Sequence, residues 1–198
     1  MGDVAMLPHA LRALKEACPE LRITVGTQAM FRPFFSSLDV EFLEVDVKGA
    51  QHSLLGMWRL ASGIRRRLGV DAVADVHGTL RSMAFTLAAR LHGIRTASIR
   101  KGREPLRHSV LRYCDVFRAL GFECPDPKPA LPTGRPNPFG PKTGTWIGFA
   151  PFSAHAGKTY PEELSREVVG LLAARYERVF VHGGGGAEAE FAREMERK

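Results

Sequence analysis

The sequence predicts an α/β protein of two lobes, each built on a parallel sheet. Short apolar segments with strand character alternate with segments of helical periodicity over residues 1–123, and again over residues 145–198. This alternation is typical of parallel sheets that helices cover on both faces. Residues 124–144 hold seven of the chain's 13 prolines. We interpret them as a linker between the lobes, because proline at that density excludes helix and sheet.

The first lobe is expected to open with a loop, Gly2 to Val4, that enters a helix over residues 7–17. Three further segments have helical periodicity, and each is followed by a glycine, which is a common stop signal at a helix end. They span residues 54–68, 80–92 and 109–120. Strands are predicted at residues 21–25, 40–45, 71–75 and 96–99, and a short helix or turn at residues 29–37.

The second lobe shows only two strand signals, at residues 146–149 and 178–181, with helices predicted over residues 161–176 and from residue 187 onward. Two strands do not complete a buried parallel sheet. In a doubly wound domain, a central strand also precedes the first loop. The sequence therefore predicts a nearly complete first lobe, a truncated second lobe, and a chain that is a piece of a longer protein.

Composition and charge narrow the classes of function. The chain has 198 residues, of which 44% are hydrophobic and 25% charged, as in ordinary globular proteins. No apolar run approaches the roughly 20 residues that a transmembrane helix needs. Lysine and arginine total 28 against 21 acidic residues, for a net charge of +7. This excess favours an anionic partner such as nucleic acid, anionic lipid or a phosphorylated substrate, although a merely soluble basic surface is an alternative.

The loop after the strand at residues 146–149 has the features of a phosphate site. It reads Ala-Pro-Phe-Ser-Ala-His-Ala-Gly-Lys-Thr-Tyr-Pro over residues 150–161 and leads into a predicted helix. Loop N–H groups, a helix amino end and the charge of Lys158 together attract an anion. The same pattern also occurs in strand–helix connections that bind nothing, so both interpretations stay open.

Three motifs in order resemble one family. They are the opening Met1-Gly-Asp-Val-Ala-Met6 followed by Leu11-Arg-Ala-Leu14, the stretch Asp71-Ala-Val-Ala-Asp-Val-His-Gly-Thr-Leu-Arg81, and the loop at residues 150–161. This series resembles the ADP-heptose:lipopolysaccharide heptosyltransferases (glycosyltransferase family 9). The resemblance spans nearly the whole chain. The family's later Asp-Thr/Ser-Gly-x-x-His motif does not occur in it.

The resemblance implies the glycosyltransferase-B fold, with two Rossmann-like lobes. Residues 1–123 would then form the acceptor-binding lobe, residues 124–144 the linker, and residues 145–198 part of the nucleotide-sugar-binding lobe. It further implies inverting transfer of heptose from ADP-heptose to the lipid A–Kdo inner core of lipopolysaccharide. One alternative is a related enzyme with another nucleotide-sugar donor, because a fold does not determine the substrate. The other is an inactive fragment or a non-enzymatic anion-binding module.

In the first lobe, Asp3 matches the family's loop aspartate and is the expected catalytic base, although an aspartate in this place also commonly caps a helix. The expected acceptor contacts lie after two predicted strands. The alternative for His77 is a structural role as a hydrogen-bonded histidine. The alternative for the basic residues after the second strand is a solvated loop. The acceptor-binding candidates are Asp75, His77, Arg81, Arg100, Lys101 and Arg103.

In the second lobe, Lys158 is expected to pair with a donor phosphate, helped by the Gly157 N–H and the Ser153 hydroxyl. Ser153 is equally well explained as a turn residue. A run of four glycines follows the last predicted strand, and a carboxylate beyond it, Glu188 or Glu190, is expected to accept ribose hydroxyls. The alternative is a simple tight turn. The donor-binding candidates are Ser153, Gly157, Lys158, Gly184 and Glu188.

The remaining expectations concern cofactors and partners. No metal is expected, because the sequence shows no clustered His, Cys or carboxylate ligands and the resemblance implies no metal-binding Asp-x-Asp motif. No cofactor is expected, since the nucleotide sugar is itself a substrate. The resemblance implies two partners, a nucleotide sugar and an anionic lipopolysaccharide precursor at the inner membrane surface. It places the protein in the cytoplasm, with peripheral attachment to that membrane as a further expectation. Nucleic acid is not expected as a partner, because no aromatic residue for base stacking lies between Ile99 and Leu111.

Overall fold

A computed structural model of the chain describes residues 2–100, 107–127, 136–153 and 155–196. The chain forms two compact units, Met1–Ala130 and Leu131–Lys198, and the division falls inside the predicted linker. The helices of the first unit are α1 (Gly2–Ala17), α2 (Leu54–Leu68), α3 (Leu80–Leu91) and α4 (Ser109–Ala119), with a 3₁₀ helix at Ala29–Phe35. Its strands are β1 (Thr24–Thr27), β2 (Glu41–Glu44), β3 (Ala72–Asp75) and β4 (Arg95–Ser98).

The ends of the helices follow from local side-chain chemistry. The Ser53 hydroxyl accepts the Gly56 N–H at 3.0 Å and begins α2, and Gly69 ends that helix at a φ of +63°. Thr79 begins α3 through a reciprocal pair of hydrogen bonds with Ser82. Such caps satisfy N–H groups that have no partner inside the helix.

One prediction for the first unit was wrong. The residues from Gly2 to Val4, expected to form a loop, are the first turn of α1, which continues through Pro8 to Ala17. Pro8 lies inside this helix, where it lacks the N–H that would bond to the Val4 carbonyl. Asp3 therefore lies in the first helical turn.

The strands pair in parallel, as the alternation of strands and helices predicts. They form separate two-stranded sheets, β1 with β2 and β3 with β4, where one sheet per lobe was expected. The main core lies between α1 and α4, on the β1 side of the unit. Its buried residues include Ala10, Leu11, Leu14, Tyr113, Cys114 and Phe117. A smaller cluster of Ile64, Ala89 and Ile94 joins α2 and α3 on the other side.

The second unit has one parallel pair of strands, β5 (Trp146–Phe149) and β6 (Arg178–Val181), with helices α5 (Glu162–Ala173) and α6 (Ala187–Glu196). A 3₁₀ turn occupies Ala156–Lys158. Arg166 of α5 joins the two helices, since its guanidinium pairs with Glu194 of α6 at 3.1 Å. None of the helices in the described part of the chain has the length and apolar character that a membrane crossing requires.

The two ends of the predicted linker are packed on their own units. Cys124 is buried, and Arg118 of α4 donates to its carbonyl oxygen at 2.8 Å. At the other end, the ring of Phe139 lies 4.4 Å from that of Phe180 in β6. Residues near both ends of the predicted 124–144 range are therefore held by specific contacts within their own units.

Candidate functional site

The predicted residues of the first unit lie at the carboxyl ends of β3 and β4. Asp75 is the last residue of β3, His77 follows it, and Arg100 follows β4. Open α/β sheets bind their ligands at this edge. The structure therefore brings these three positions to the same side of the sheet.

The amino end of α1 lies at the same edge. Val4 packs into the apolar cluster that also includes Val76 and Ile99, the residues directly beyond β3 and β4. Tyr113, one turn into α4, donates from its hydroxyl to the backbone carbonyl of Asp3 at 3.3 Å. The exposed side chain of Asp3 is thus anchored through its backbone at the edge where a ligand is expected.

The chemistry around Asp3 is set by Tyr113. Burial raises the pKa of the Tyr113 hydroxyl, and the negative charge of Asp3 raises it further. The phenol therefore stays protonated and serves as a donor beside Asp3. The Asp3 carboxylate is open to solvent and accessible to a substrate hydroxyl. Its place in the first turn of α1 also suits the positive amino end of that helix.

Asp75 shapes the loop that presents His77. Its Oδ1 accepts the backbone N–H groups of His77 and Gly78, both at 2.9 Å. Gly78 takes a φ of +60°, in the left-handed region that favours glycine. The carboxylate is buried, whereas the imidazole of His77 is exposed. In the described structure, Asp75 organises the turn and His77 is its accessible group.

The basic candidates of this unit differ in how they are held. Arg81 is exposed in the first turn of α3, and its Nη1 donates to the carbonyl oxygen of Val47 at 3.3 Å, which ties α3 to the segment after β2. Arg100 is exposed, and its backbone carbonyl accepts a hydrogen bond from Arg112. Lys101 and Arg103 lie outside the described residues.

In the second unit, the loop after β5 is folded by its own polar groups. The Ser153 hydroxyl oxygen accepts the His155 N–H at 3.3 Å, and the Thr159 hydroxyl donates to the Ser153 carbonyl at 3.2 Å. The Tyr160 N–H donates to the carbonyl of Pro151 at 2.7 Å and closes the loop. Ser153 therefore stabilises this turn.

Lys158 ends the 3₁₀ turn of this loop and is exposed. Gly157 lies beside it in open space, since a methyl group added there would meet nothing within 4 Å. The backbone of Gly157 is thus accessible to a ligand. A compact ammonium next to an accessible backbone is the arrangement that the sequence predicts for a phosphate.

The glycine-rich turn after β6 is closed by Glu188. The Gly184 N–H donates to Oε2 of Glu188 at 2.5 Å, and Gly186 takes a φ of +65°. Glu190 lies two residues further along α6 and is exposed. Of the two carboxylates considered from sequence, Glu188 is the one that contacts the turn.

The two loops of the second unit lie side by side. The Phe152 ring, which follows β5, packs edge-on against Phe191 of α6 at 5.5 Å. A methyl group added to Gly183 would lie 3.2 Å from the same Phe152 ring. The Lys158 loop and the glycine-rich turn therefore share the carboxyl edge of β5 and β6.

Comparison with known proteins gives the fold. No protein-family model and no curated protein sequence matches the chain. Among solved structures, the crystal structure of the glycosyl transferase family 9 protein from Veillonella parvula DSM 2008 matches with a TM-score of 0.69 and 21% identity, over 100% of this chain and 64% of that one. The E. coli heptosyltransferase WaaC with ADP matches with a TM-score of 0.65 and 23% identity, over 98% of this chain and 67% of that one.

The chain has the glycosyltransferase-B fold. The fold that the resemblance implied is thereby confirmed. The chain spans about two thirds of the length of those structures. At this level of identity the likeness concerns the fold, and the roles of individual residues remain predictions.

Sequence reasoning missed Tyr113 and Phe152. Tyr113 lies at helical spacing from Val110 and Phe117 and looks like an ordinary core residue. Phe152 lies in a loop and has no distinguishing neighbour in sequence. Their contacts, to Asp3 and to the glycine-rich turn, join residues about 110 and 30 positions apart, which no local pattern reveals.

Proposed function

We propose that this chain is the acceptor lobe and part of the donor lobe of a glycosyltransferase. More narrowly, we propose that it serves transfer of heptose from ADP-heptose to the lipid A–Kdo inner core of lipopolysaccharide. The observation that supports the proposal is that Asp75, His77 and Arg100 lie at or after the ends of β3 and β4. In the second unit, Lys158 and Gly184 lie in the loops that follow β5 and β6. One of the similar structures is a heptosyltransferase with ADP.

Donor binding is assigned to the second unit. Lys158 pairs with the diphosphate of the leaving ADP and offsets the negative charge that develops as the sugar–oxygen bond breaks. The accessible backbone of Gly157 and the Ser153 hydroxyl add hydrogen bonds. Glu188 holds the glycine-rich turn through the Gly184 N–H, and its second carboxylate oxygen accepts a ribose hydroxyl. The proposed donor site needs no metal, since the ammonium supplies the positive charge.

Acceptor binding and proton transfer are assigned to the first unit. Asp3 takes the proton of the attacking acceptor hydroxyl, whose oxygen forms the new bond to the anomeric carbon as the bond to ADP breaks. This single displacement inverts the anomeric centre, and a positioned base of this kind contributes roughly 10²- to 10⁴-fold in rate. Arg81 and Arg100 bind carboxylates or phosphates of the acceptor, and His77 contacts it from the turn that Asp75 holds.

The sharpest test is nucleotide binding by the chain itself. Titration calorimetry with ADP should show binding that Lys158→Gln weakens by about tenfold or more, because a hydrogen bond to a charged group contributes about 1.5–3 kcal/mol. Lys142→Gln is the matched control, since Lys142 is an exposed lysine of the same unit. It should bind ADP like the wild type.

Two outcomes would contradict the proposal. Equal weakening by both lysine variants would show a general charge effect, with no phosphate contact at Lys158. Binding of heparin with no binding of ADP would favour the non-enzymatic anion-binding alternative. Titrations with UDP and GDP test for another nucleotide-sugar donor. If the natural donor carried uridine or guanosine, UDP or GDP would bind more tightly than ADP.

The role of Asp3 is tested separately, in a form of the protein that has transferase activity. Asp3→Asn should lower turnover by at least about 10²-fold while leaving ADP affinity unchanged, since Asp3 belongs to the acceptor side. If Asp3 only stabilised the amino end of α1 through its charge, turnover of folded Asp3→Asn would stay near wild type.

A further inference from the structure

The first turn of α1, which carries Asp3, is weakly held by its own helix. It includes Gly2, and glycine is a poor helix former. In an α-helix each carbonyl accepts the N–H of the residue four positions ahead. Pro8 supplies no N–H to the carbonyl of Val4, and its ring crowds that carbonyl. Because helix ends also fray, the position of this turn depends on contacts with the rest of the unit.

An apolar contact holds the turn close to the core. Val4 is half-buried and packs against the main core of the unit, whereas Gly2 and Asp3 are exposed. Apolar attraction has no preferred direction. The packing of Val4 therefore keeps the turn near the core but does not fix the direction in which Asp3 projects.

A polar contact from Tyr113 supplies that direction. The Tyr113 side chain is 2% exposed, and its ring belongs to the main core together with Leu11 and Leu14 of α1. Its hydroxyl donates to the backbone carbonyl of Asp3 at 3.3 Å. Hydrogen bonds have a preferred geometry, and a buried phenol requires a partner. A rigid core residue thus ends in a directional bond to the exposed turn.

The same hydroxyl interacts with two side chains. Burial raises the pKa of Tyr113 most, and the charge of the Asp3 carboxylate and a hydrogen bond to it raise this pKa further. The charge of Arg112 and a hydrogen bond with the Ser109 side chain lower it. A hydrogen bond that lowers the pKa of a phenol is one donated to its oxygen. Ser109 therefore donates to Tyr113, and Tyr113 donates to Asp3.

We infer that Tyr113 is a positioning residue for Asp3: its hydroxyl, oriented by Ser109, fixes the first turn of α1 and the direction of the Asp3 carboxylate. The inference rests on the proposed function, because the direction of this carboxylate affects turnover only if Asp3 is the base. Tyr113 is buried in the core and acts on the reaction through Asp3.

Loss of the hydroxyl should slow the chemical step and leave substrate binding unchanged. Tyr113→Phe keeps the ring that fills the core and removes only the donor. A displacement of about 1 Å in a reacting group costs up to about 10²-fold in rate. In a form of the protein that has transferase activity, kcat should fall by about tenfold or more, and KM for both substrates should change by less than about twofold.

Two further variants accompany this measurement. Ser109→Ala removes the donor that orients the phenol, and it should lower kcat by about threefold, again at constant KM. Tyr176→Phe is the matched control, since Tyr176 is a half-buried tyrosine of the second unit. Its kcat should equal that of the wild type. If the Tyr113 hydroxyl were merely structural, Tyr113→Phe would unfold at lower urea concentration but keep the wild-type kcat when folded.

A second arm uses the 198-residue chain itself and requires no activity. The amides of Met6 and Leu7 are the donors to the carbonyls of Gly2 and Asp3 in the helical pattern. Their hydrogen exchange, measured by NMR, should be faster by about tenfold or more in Tyr113→Phe. The amide of Leu14, in the last turn of α1, should exchange as in the wild type, and Tyr176→Phe should change none of the three.

The outcomes separate this inference from the proposed function. Unchanged exchange at Met6 and Leu7 in folded Tyr113→Phe would overturn the inference, and so would a wild-type kcat for this variant where Asp3→Asn abolishes turnover. Wild-type turnover in Asp3→Asn would instead overturn the role of Asp3 as base, and the exchange rates would still decide whether Tyr113 holds the turn. If Tyr113→Phe does not fold, Ser109→Ala takes its place in both arms, with an expected effect of about threefold in each.

Discussion

Alkaline pH should destabilise the first unit through one buried thiol, Cys124. Its side chain is 2% exposed and lies beside Cys114, with its Sγ 3.8 Å from the carbonyl oxygen of Ala10. Burial, helped by the neighbouring thiol of Cys114, raises the pKa of Cys124 from its ordinary value of 9.0 to about 12. The folded unit therefore holds this proton over a pH range in which the unfolded chain has lost it.

The sign and size of the effect follow from proton linkage. Below about pH 9 both states carry the proton, and the stability is fully present. Between about pH 9 and pH 12 the unfolded state binds fewer protons, so the free energy of unfolding falls by up to about 1.4 kcal/mol per pH unit. From about pH 8 to about pH 10.5 the expected loss from Cys124 is about 2 kcal/mol.

The assay is urea unfolding of the wild type and of Cys124→Ala across this pH range. Trp58 fluorescence reports on the first unit when Trp146 of the second unit is replaced by phenylalanine in both proteins. The wild type should lose more than the variant, by up to about 2 kcal/mol, because the titration of Cys124 is absent from the variant. The variant also lacks the Cys124 hydrogen bond that lowers the pKa of Cys114, so the Cys114 titration adds to its own loss and reduces the difference. Equal losses in wild type and variant would refute the burial argument for Cys124.

Three further predictions test packing and capping. Gly183→Ala should destabilise the second unit, because the new methyl group would approach the Phe152 ring to 3.2 Å, whereas Gly185→Ala, where nothing lies within 4 Å, should leave its thermal midpoint unchanged. Ile64→Ala should lower the free energy of unfolding of the first unit by about 2–5 kcal/mol in urea titrations, since this side chain is 4% exposed. Thr79→Ala should cost about 1 kcal/mol in the same titrations, whereas Thr79→Ser, which keeps the hydroxyl, should cost less.

The fold class could be predicted from the sequence because the patterns that indicate it are local. Helical periodicity, glycine stops and short apolar runs gave α2, β5 and β6 with their observed bounds. The start of α1 could not be predicted from local patterns. A proline and a Gly-Asp pair are locally typical of a loop, whereas packing of Val4 and Met6 against the core favours helix from Gly2 onward.

The candidate site was predictable only in part. The sequence places Lys158, Gly184 and Asp75 after strands, and parallel strands bring such positions to one edge. The contacts that these residues make could not be predicted from the sequence. Glu188 closes the glycine-rich turn through the Gly184 N–H, and only the geometry of α6 distinguishes it from Glu190.

The sequence by itself determined the alternation of strands and helices, the proline-rich division and the motifs that carry the family resemblance, because each depends on neighbours within a few positions. The tertiary structure alone decided that Tyr113 donates to the Asp3 carbonyl, that Phe152 packs beside Gly183, and that β1–β2 and β3–β4 form separate sheets. These are contacts between distant segments, and their energy comes from packing and backbone pairing that no local pattern contains.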